Sequence, residues 1–211
     1  MITVAVAKGR VFDESMELLA PLGVSAEQVR RDSRSLIHNF PKAGLSLLVV
    51  RSQDVPTYVE SGAAELGIVG KDVLLEGGSR LFELHDLGIG RCRLSLARRR
   101  GDAPFSELHP DEPIRVATKY VNLTTDYLNR LGRRAEIVKL YGSVELAPLV
   151  GLADRIADLV STGGTLRANG LVEDVVMLES TCRLVCNPAA LKLKPREIRD
   201  LTGRIGELSA A

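Results

Sequence analysis

Ile156-Ala-Asp-Leu-Val-Ser-Thr-Gly-Gly-Thr-Leu-Arg-Ala-Asn-Gly170 passes from a short apolar run into hydroxyls and paired glycines, then resumes with helical character. A buried strand that ends in a tight turn and opens into a helix is half of a βαβ unit. In open α/β sheets, ligands bind just outside the carboxyl ends of the strands. Glycine lets the backbone turn sharply and come close to an anion, and successive N–H groups in such a turn form a nest. Thr162 and Thr165 add hydroxyl donors, and Asp158, four residues before Thr162, can accept bonds from sugar hydroxyls. A TGxT turn alone fits Ser/Thr capping of a helix equally well. The preceding acid and strand shift the reading toward a phosphate cradle, and it is not a Walker loop, because GxxxxGK[ST] is absent.

Working outward, short apolar runs alternate with helical patterns along the whole chain. ITVAVA (2–7) reads as a buried strand, followed by a helix with Phe12, Met16 and Leu19 on one face and a stop at Gly23. SLIHNF (35–40) and LSLLVV (45–50) flank PKAG as a hairpin, and Asp54 is placed to cap a helix with Pro56 in its first turn. ELGIVG (65–70), 92–98, 114–118, IVKL (137–140), VVML (175–178) and RLVC (183–186) read as further strands. Helices are expected from Asn122 to Gly132, over 144–150 after a Gly142-Ser143 cap, and after Pro195, where Ile198, Leu201, Ile205 and Leu208 recur at helical spacing. This alternation predicts βαβ units, mostly parallel sheets and two α/β lobes with a cleft between them.

Composition narrows the partners. The 211 residues are 45% hydrophobic and 26% charged, with net charge +1, so no global field draws the chain to nucleic acid or membrane. Aromatics make up 4%, and Trp is absent, which argues against stacking platforms for single strands. Cys92, Cys182 and Cys186 stand at no metal-ligand spacing and read as reduced thiols. No signal-peptide pattern follows Met1 and no apolar run is long enough to span a bilayer, so a cytoplasmic location is expected.

Outside the glycine turn, the residues that could carry chemistry are mostly cations. Lys8-Gly9-Arg10 ends a strand just before a helix, Arg34 precedes a strand, and Arg51 ends one. All four cations would converge if those strands are neighbours, and the planar fork of arginine suits phosphate oxygens. Taken alone, KGR reads equally as a solvated basic turn, Asp72 as a helix cap, Glu145 as a solvated charge, and Arg98-Arg99-Arg100 as a solvated edge. No Ser/His/Asp or Cys/His grouping stands out, which fits catalysis by positioning and charge stabilisation.

Glu145, Gly151, Ala153, Ile156, Asp158, Leu159, Thr162, Gly163, Thr165 and Leu166 together match the pattern E-x5-G-x-[SAG]-x2-[IV]-x-D-[LIV]-x2-[ST]-G-x-T-[LM] with every gap kept. The chain therefore resembles the ATP phosphoribosyltransferases, which open histidine biosynthesis. VAKGR (6–10), SRSLI (33–37), 54–76, RVATKYVN (115–122) and GSVELAPLVGLAD (142–154) extend the likeness over nearly the whole chain.

The resemblance implies a fold like type II periplasmic binding proteins, with two lobes of mixed or parallel sheet and the active site in the interlobe cleft. Lobe I would comprise 1–90 and 182–211, and lobe II 91–181 with the ribose 5-phosphate loop. It implies transfer of the phosphoribosyl group of phosphoribosyl pyrophosphate (PRPP) to N1 of ATP adenine, with inversion and release of pyrophosphate. Arg10 and Arg34 would be the catalytic cations. Asp158, Ser161, Thr162, Gly163, Gly164, Thr165 and Leu166 would bind PRPP, and Lys8, Gly9, Arg51, Asp72 and Glu145 ATP or pyrophosphate. Mg²⁺ would be held mainly through substrate phosphates, with no metal site of the protein's own.

The length resembles the short form of the family, lacking the C-terminal regulatory domain. That form works with a regulatory subunit resembling histidyl-tRNA synthetase in a hetero-octamer, and a homodimer of catalytic chains is expected within it. Ala157 and Ser161 stand where other phosphoribosyltransferases often carry acids, which separates the chain from base-salvage relatives. The rival readings are a solute-binding protein, a transferase acting on another base, and an inactive subunit.

Overall fold

The computed structural model describes residues 1–32 and 34–210; Ser33, the first residue of SRSLI, and Ala211 lie outside them. The chain begins with β1 (Ile2–Ala7), α1 (Arg10–Leu19), α2 (Ala26–Arg31), β2 (Ile37–Phe40), β3 (Leu45–Val50), α3 (Val55–Glu60), β4 (Leu66–Gly70), α4 (Lys71–Gly77) and β5 (Phe82–Asp86). There follow β6 (Cys92–Arg99), β7 (Ile114–Thr118), α5 (Val121–Arg130), β8 (Ala135–Lys139), α6 (Leu146–Leu149), β9 (Arg155–Val160), α7 (Gly164–Ala168) and β10 (Leu171–Ser180). β11 (Cys182–Cys186), α8 (Pro188–Leu193) and α9 (Pro195–Ala210) complete it.

These elements form two compact units, residues 1–91 with 181–211, and residues 92–180. The first holds a six-stranded sheet in the order β2-β3-β1-β4-β11-β5. β1 lies parallel to both β3 and β4, while β2, β11 and β5 run antiparallel to their neighbours. β1 is buried on both faces, which is why its sequence is continuously apolar rather than alternating. Val4 and Val6 join Met16 and Leu19 of α1 and Ile198, Leu201 and Ile205 of α9 on one face, and Ala5 and Ala7 join Val55 and Val59 of α3 on the other. Each such Leu, Ile or Met contributes about 1.5–3 kcal/mol on burial.

The second unit holds a five-stranded sheet, β10-β6-β9-β7-β8. Here β7 is parallel to β8 and β9, and β6 is antiparallel to β9 and β10. Alternation along β9 sends Ile156 and Val160 to the face covered by Val144, Ala147 and Leu166, and Ala157 to the face covered by Leu128 and Phe105. Asp158 therefore shares the α6–α7 face with Ile156 and Val160.

Several expectations are corrected. Both sheets are mixed rather than mostly parallel, since the parallel pairings are outnumbered by antiparallel ones near the edges and at the returning strand β11. β5 was not legible because FELHD lies half exposed and lacks apolar alternation. The helix expected over 144–150 is confined to Leu146–Leu149 and has no side-chain cap; Ser143 instead adopts a left-handed φ of 48°. Asp54 stands at the N-cap of α3 without a capping bond, and Asp72 lies inside the first turn of α4 rather than at its cap. Arg98 is not a solvated edge: its side chain is mostly buried, 3.5 Å from Asp174.

Candidate active site

In the second unit, one cavity of about 170 Å³ is lined by Glu145 and by the run from Asp158 to Leu166. It thereby contains Asp158, Ser161, Thr162, Gly163, Gly164, Thr165 and Leu166 together. Glu145, assigned by resemblance to the nucleotide, shares this cavity with the residues assigned by resemblance to PRPP. The geometry of the turn follows from its composition. Gly163 sits at φ 72°, in the left-handed region that a side chain resists, and a Cβ there would lie 3.0 Å from Arg167 Nη1. Gly164 N–H reaches Thr162 Oγ1 at 3.4 Å, and Arg167 Nη1 donates to the Thr162 carbonyl at 3.0 Å. The N–H groups of Thr165 and Leu166 fall in the first turn of α7, where no intrahelical carbonyl is available to them. A phosphate over this turn would meet those donors and the threonine hydroxyls.

Three side chains that the sequence did not single out support this turn. Lys119 places its ammonium 3.4 Å from Asp158 Oδ1, which also accepts the Leu159 N–H at 2.8 Å. Arg93 donates to the Ser161 carbonyl at 3.2 Å while its guanidinium engages both oxygens of Glu173. Glu173 also accepts from Ser95 Oγ at 2.7 Å. The Arg93 guanidinium holds the Glu173 carboxyl below the usual range despite partial burial, and Glu173 in turn raises the pKa of Arg93. Lys119 was legible in principle, as a lysine directly after a predicted strand. Arg93 and Glu173 carried no local signal.

In the first unit, β1 pairs in parallel with β3, Ala7 opposite Val50, and Lys8 N–H bonds the Val50 carbonyl at 2.8 Å. Lys8 and Arg51 thus leave the same end of the sheet. Lys8 and Gly9 line a second cavity of about 290 Å³ with Phe12, Arg30, Ser35 and the buried His38. Arg34 is exposed on the turn before β2, and Arg51 is exposed after β3. Asp72 is only 2% exposed. Arg10 does not line the Lys8 cavity. Its guanidinium contacts Glu14 at 3.0 Å and the carbonyls of Gly90 and Arg91 at 3.3 and 3.2 Å.

Residues 51–207 match the family described as HisG: ATP phosphoribosyltransferase. The chain belongs to the ATP phosphoribosyltransferase family. The family's enzyme from Methylococcus capsulatus is 49% identical over 212 residues, covering 100% of this chain and 97% of that protein. The enzyme from Bordetella pertussis is 50% identical over 206 residues, covering 95% and 92%. Among solved structures, the ATP phosphoribosyl transferase (HisG:HisZ) complex from Thermotoga maritima superposes with a TM-score of 0.82 at 32% identity, over 100% of this chain and 99% of that one. Tv2483 bound to L-arginine superposes with a TM-score of 0.62 at 12% identity, a likeness of fold alone. The architecture is the two-unit α/β fold of the type II periplasmic-binding-protein kind. As a family member the chain is a transferase, moving the phosphoribosyl group of PRPP to N1 of ATP adenine in the first step of histidine biosynthesis.

Proposed function

We propose that the turn from Ser161 to Leu166 holds the 5-phosphate of PRPP and that Asp158 holds its ribose hydroxyls. The observation that carries this reading is the single cavity lined by Asp158, the glycine-threonine turn and Glu145. Lys119, 3.4 Å from Asp158 Oδ1, orients the carboxylate as an acceptor. In the reaction the N1–C1 bond forms as the bond from C1 to the pyrophosphate oxygen breaks, with inversion, and the nucleotide loses a proton to solvent. Positive charge builds on the ribose and negative charge on the departing oxygen. Arg10 and Arg34 stabilise that oxygen, while Lys8, Gly9, Arg51 and Asp72 serve the nucleotide and pyrophosphate. Glu145, beside the turn, contacts the ribose end.

Mg²⁺ would be bound mainly through the substrate phosphates and water, where it would supply positive charge to the leaving group. We further propose a regulatory subunit resembling histidyl-tRNA synthetase in a hetero-octamer, with the catalytic chains paired as homodimers; the complex named for the Thermotoga maritima neighbour supports such a partner. A cytoplasmic location is in keeping with a biosynthetic role, and among the described residues no helix is long and apolar enough to cross a membrane.

The test combines the chain with ATP, PRPP, Mg²⁺ and pyrophosphatase and follows phosphoribosyl-ATP by ultraviolet absorbance, with and without the candidate subunit. Arg10→Ala should raise the barrier by about 2.7–4 kcal/mol, the cost of one lost oxyanion-type donor. Thr162→Ala should raise the KM for PRPP. PRPP binding without turnover, even with the partner present, would make the chain a binding subunit.

A further inference from the structure

Helix α1 carries Arg10 and Glu14 one turn apart, so the two side chains share a face. Glu14 Oε1 accepts from Arg10 Nη1 at 3.0 Å, and its second oxygen, Oε2, accepts the Gly90 N–H at 2.6 Å. Arg10 Nη2 donates to the carbonyls of Gly90 and Arg91 at 3.3 and 3.2 Å. Acid and base therefore grip the same backbone segment, just before β6 begins at Cys92. Gly90 adopts φ 66°, and a Cβ there would lie 2.5 Å from Cys182 Sγ, so the segment is held by a close approach that only glycine permits.

An ordinary exposed i,i+4 pair is free to sample other rotamers and contributes little. Here the carboxylate bridges the guanidinium to a backbone N–H whose own carbonyl the guanidinium also binds. The fork of Arg10 is thus oriented by acceptors on two sides rather than by its flexible stem alone.

We infer that Glu14 is a positioning residue for Arg10, setting the plane in which the guanidinium meets the departing pyrophosphate. The inference rests on the role given above to Arg10. Glu14 touches neither substrate; it acts through Arg10, so its contribution disappears when Arg10 loses its fork. Misplacing a catalytic group by about 1 Å costs on the order of 10²-fold in rate.

The test is a double-mutant cycle on the full chain with E14A, E14Q, R10K, R10A, E14A/R10K and E14Q/R10K, reading kcat, KM for PRPP and pyrophosphate affinity by calorimetry. Lysine keeps a charge but has no planar fork to orient. E14A is expected to lower kcat/KM for PRPP by roughly 10–100-fold and to weaken pyrophosphate binding. E14Q, whose amide oxygen can still accept from Arg10, should recover part of the loss. In the R10K background, E14A should cost less than about twofold, the non-additivity expected of residues acting as one unit. An equal cost of E14A in both backgrounds would show a purely structural role and overturn the inference, as would unchanged turnover in E14A. Wild-type turnover in R10K and R10A would locate the failure in the role of Arg10 itself. Should E14A fail to fold, the near-isosteric E14Q carries the same comparison through its pyrophosphate affinity in the two backgrounds.

Discussion

Lys119 Nζ, just beyond the end of β7, lies 3.4 Å from Asp158 Oδ1 on the adjacent strand β9. The two meet because β7 and β9 pair in parallel with Thr118 opposite Ala157, which sets Lys119, just past the end of β7, beside Asp158 of β9. Thr118 Oγ1 reinforces the edge by donating to the Ala157 carbonyl at 2.6 Å and accepting the Tyr120 N–H at 2.9 Å. The acid proposed to read the ribose is therefore held by the sheet from one side and by a cation from the other.

Asp158→Asn keeps the shape of the side chain and removes its charge. The expected result is a fall of roughly 10–100-fold in kcat/KM for PRPP, since a hydrogen bond to a charged group contributes about 1.5–3 kcal/mol. Lys119→Met should cost less, because the pair is partly solvated and such pairs contribute only about 0–1 kcal/mol. Steady-state kinetics at saturating ATP decide the matter; an unchanged KM for PRPP in the Asp158 variant would remove this residue from the ribose site.

Gly163→Ala forces a side chain into the left-handed region and toward Arg167 Nη1, 3.0 Å from the position of the new Cβ. The strain is about 1–2 kcal/mol, which should lower the melting temperature by roughly 2–8 °C and raise the KM for PRPP. Gly164→Ala is the control, because its nearest contact, Thr162 Oγ1, is 3.6 Å away and its backbone is helical. Equal thermal and kinetic effects at both glycines would contradict the conformational argument.

Asp174 is the buried anchor of the second unit. It pairs with Arg155, which is 3% exposed, accepts the Phe105 N–H at 3.0 Å and lies 3.5 Å from Arg98 Nε. Removing one partner from a buried pair leaves an uncompensated charge and costs about 3–5 kcal/mol. Asp174→Leu should show that loss in urea unfolding, and the double variant Arg155→Met/Asp174→Leu should recover much of it. Additive losses in the double variant would argue against the pairing.

Glu173 gives the protein an acid-sensitive contact beside the glycine-threonine turn. Its hydrogen bond with Arg93 lowers the carboxyl pKa from the ordinary 4.5, against the opposing effect of burial, and Ser95 adds to the lowering. A carboxylate depressed in the folded state contributes stability above its unfolded pKa, and that contribution is lost as pH falls through the lower, folded value. Unfolding free energy should therefore decline below about pH 4.5, and less steeply in Glu173→Gln. Denaturant titrations from pH 7 to pH 3 test this; parallel slopes for the two proteins would exclude a Glu173 contribution.

Much of the first unit was legible because its signals are local. β1, β3 and β4 declared themselves as short, largely apolar runs, and α9 by its apolar spacing. The glycine-threonine turn was legible for the same reason, its acid, hydroxyls and glycines lying within nine residues of one another. β5 escaped because an edge strand half in solvent has no burial pattern to reveal it, and α6 was overdrawn because Ser143 turns left-handed instead of capping.

The sequence by itself determined the alternation of strands and helices, the chemistry of the turn from Asp158 to Leu166 and, through the spacing of its signature, the family. Backbone period and side-chain type suffice for these, because each depends on residues close along the chain. Only the tertiary structure decided that β11 returns antiparallel beside β4, that Lys119 faces Asp158, that Arg93 joins Glu173 to Ser161, and that Glu14 and Arg10 together hold Gly90. Those relationships are set by strand order, register and the packing of helices on the sheets, and a one-residue shift of register would exchange the faces of the strand side chains involved.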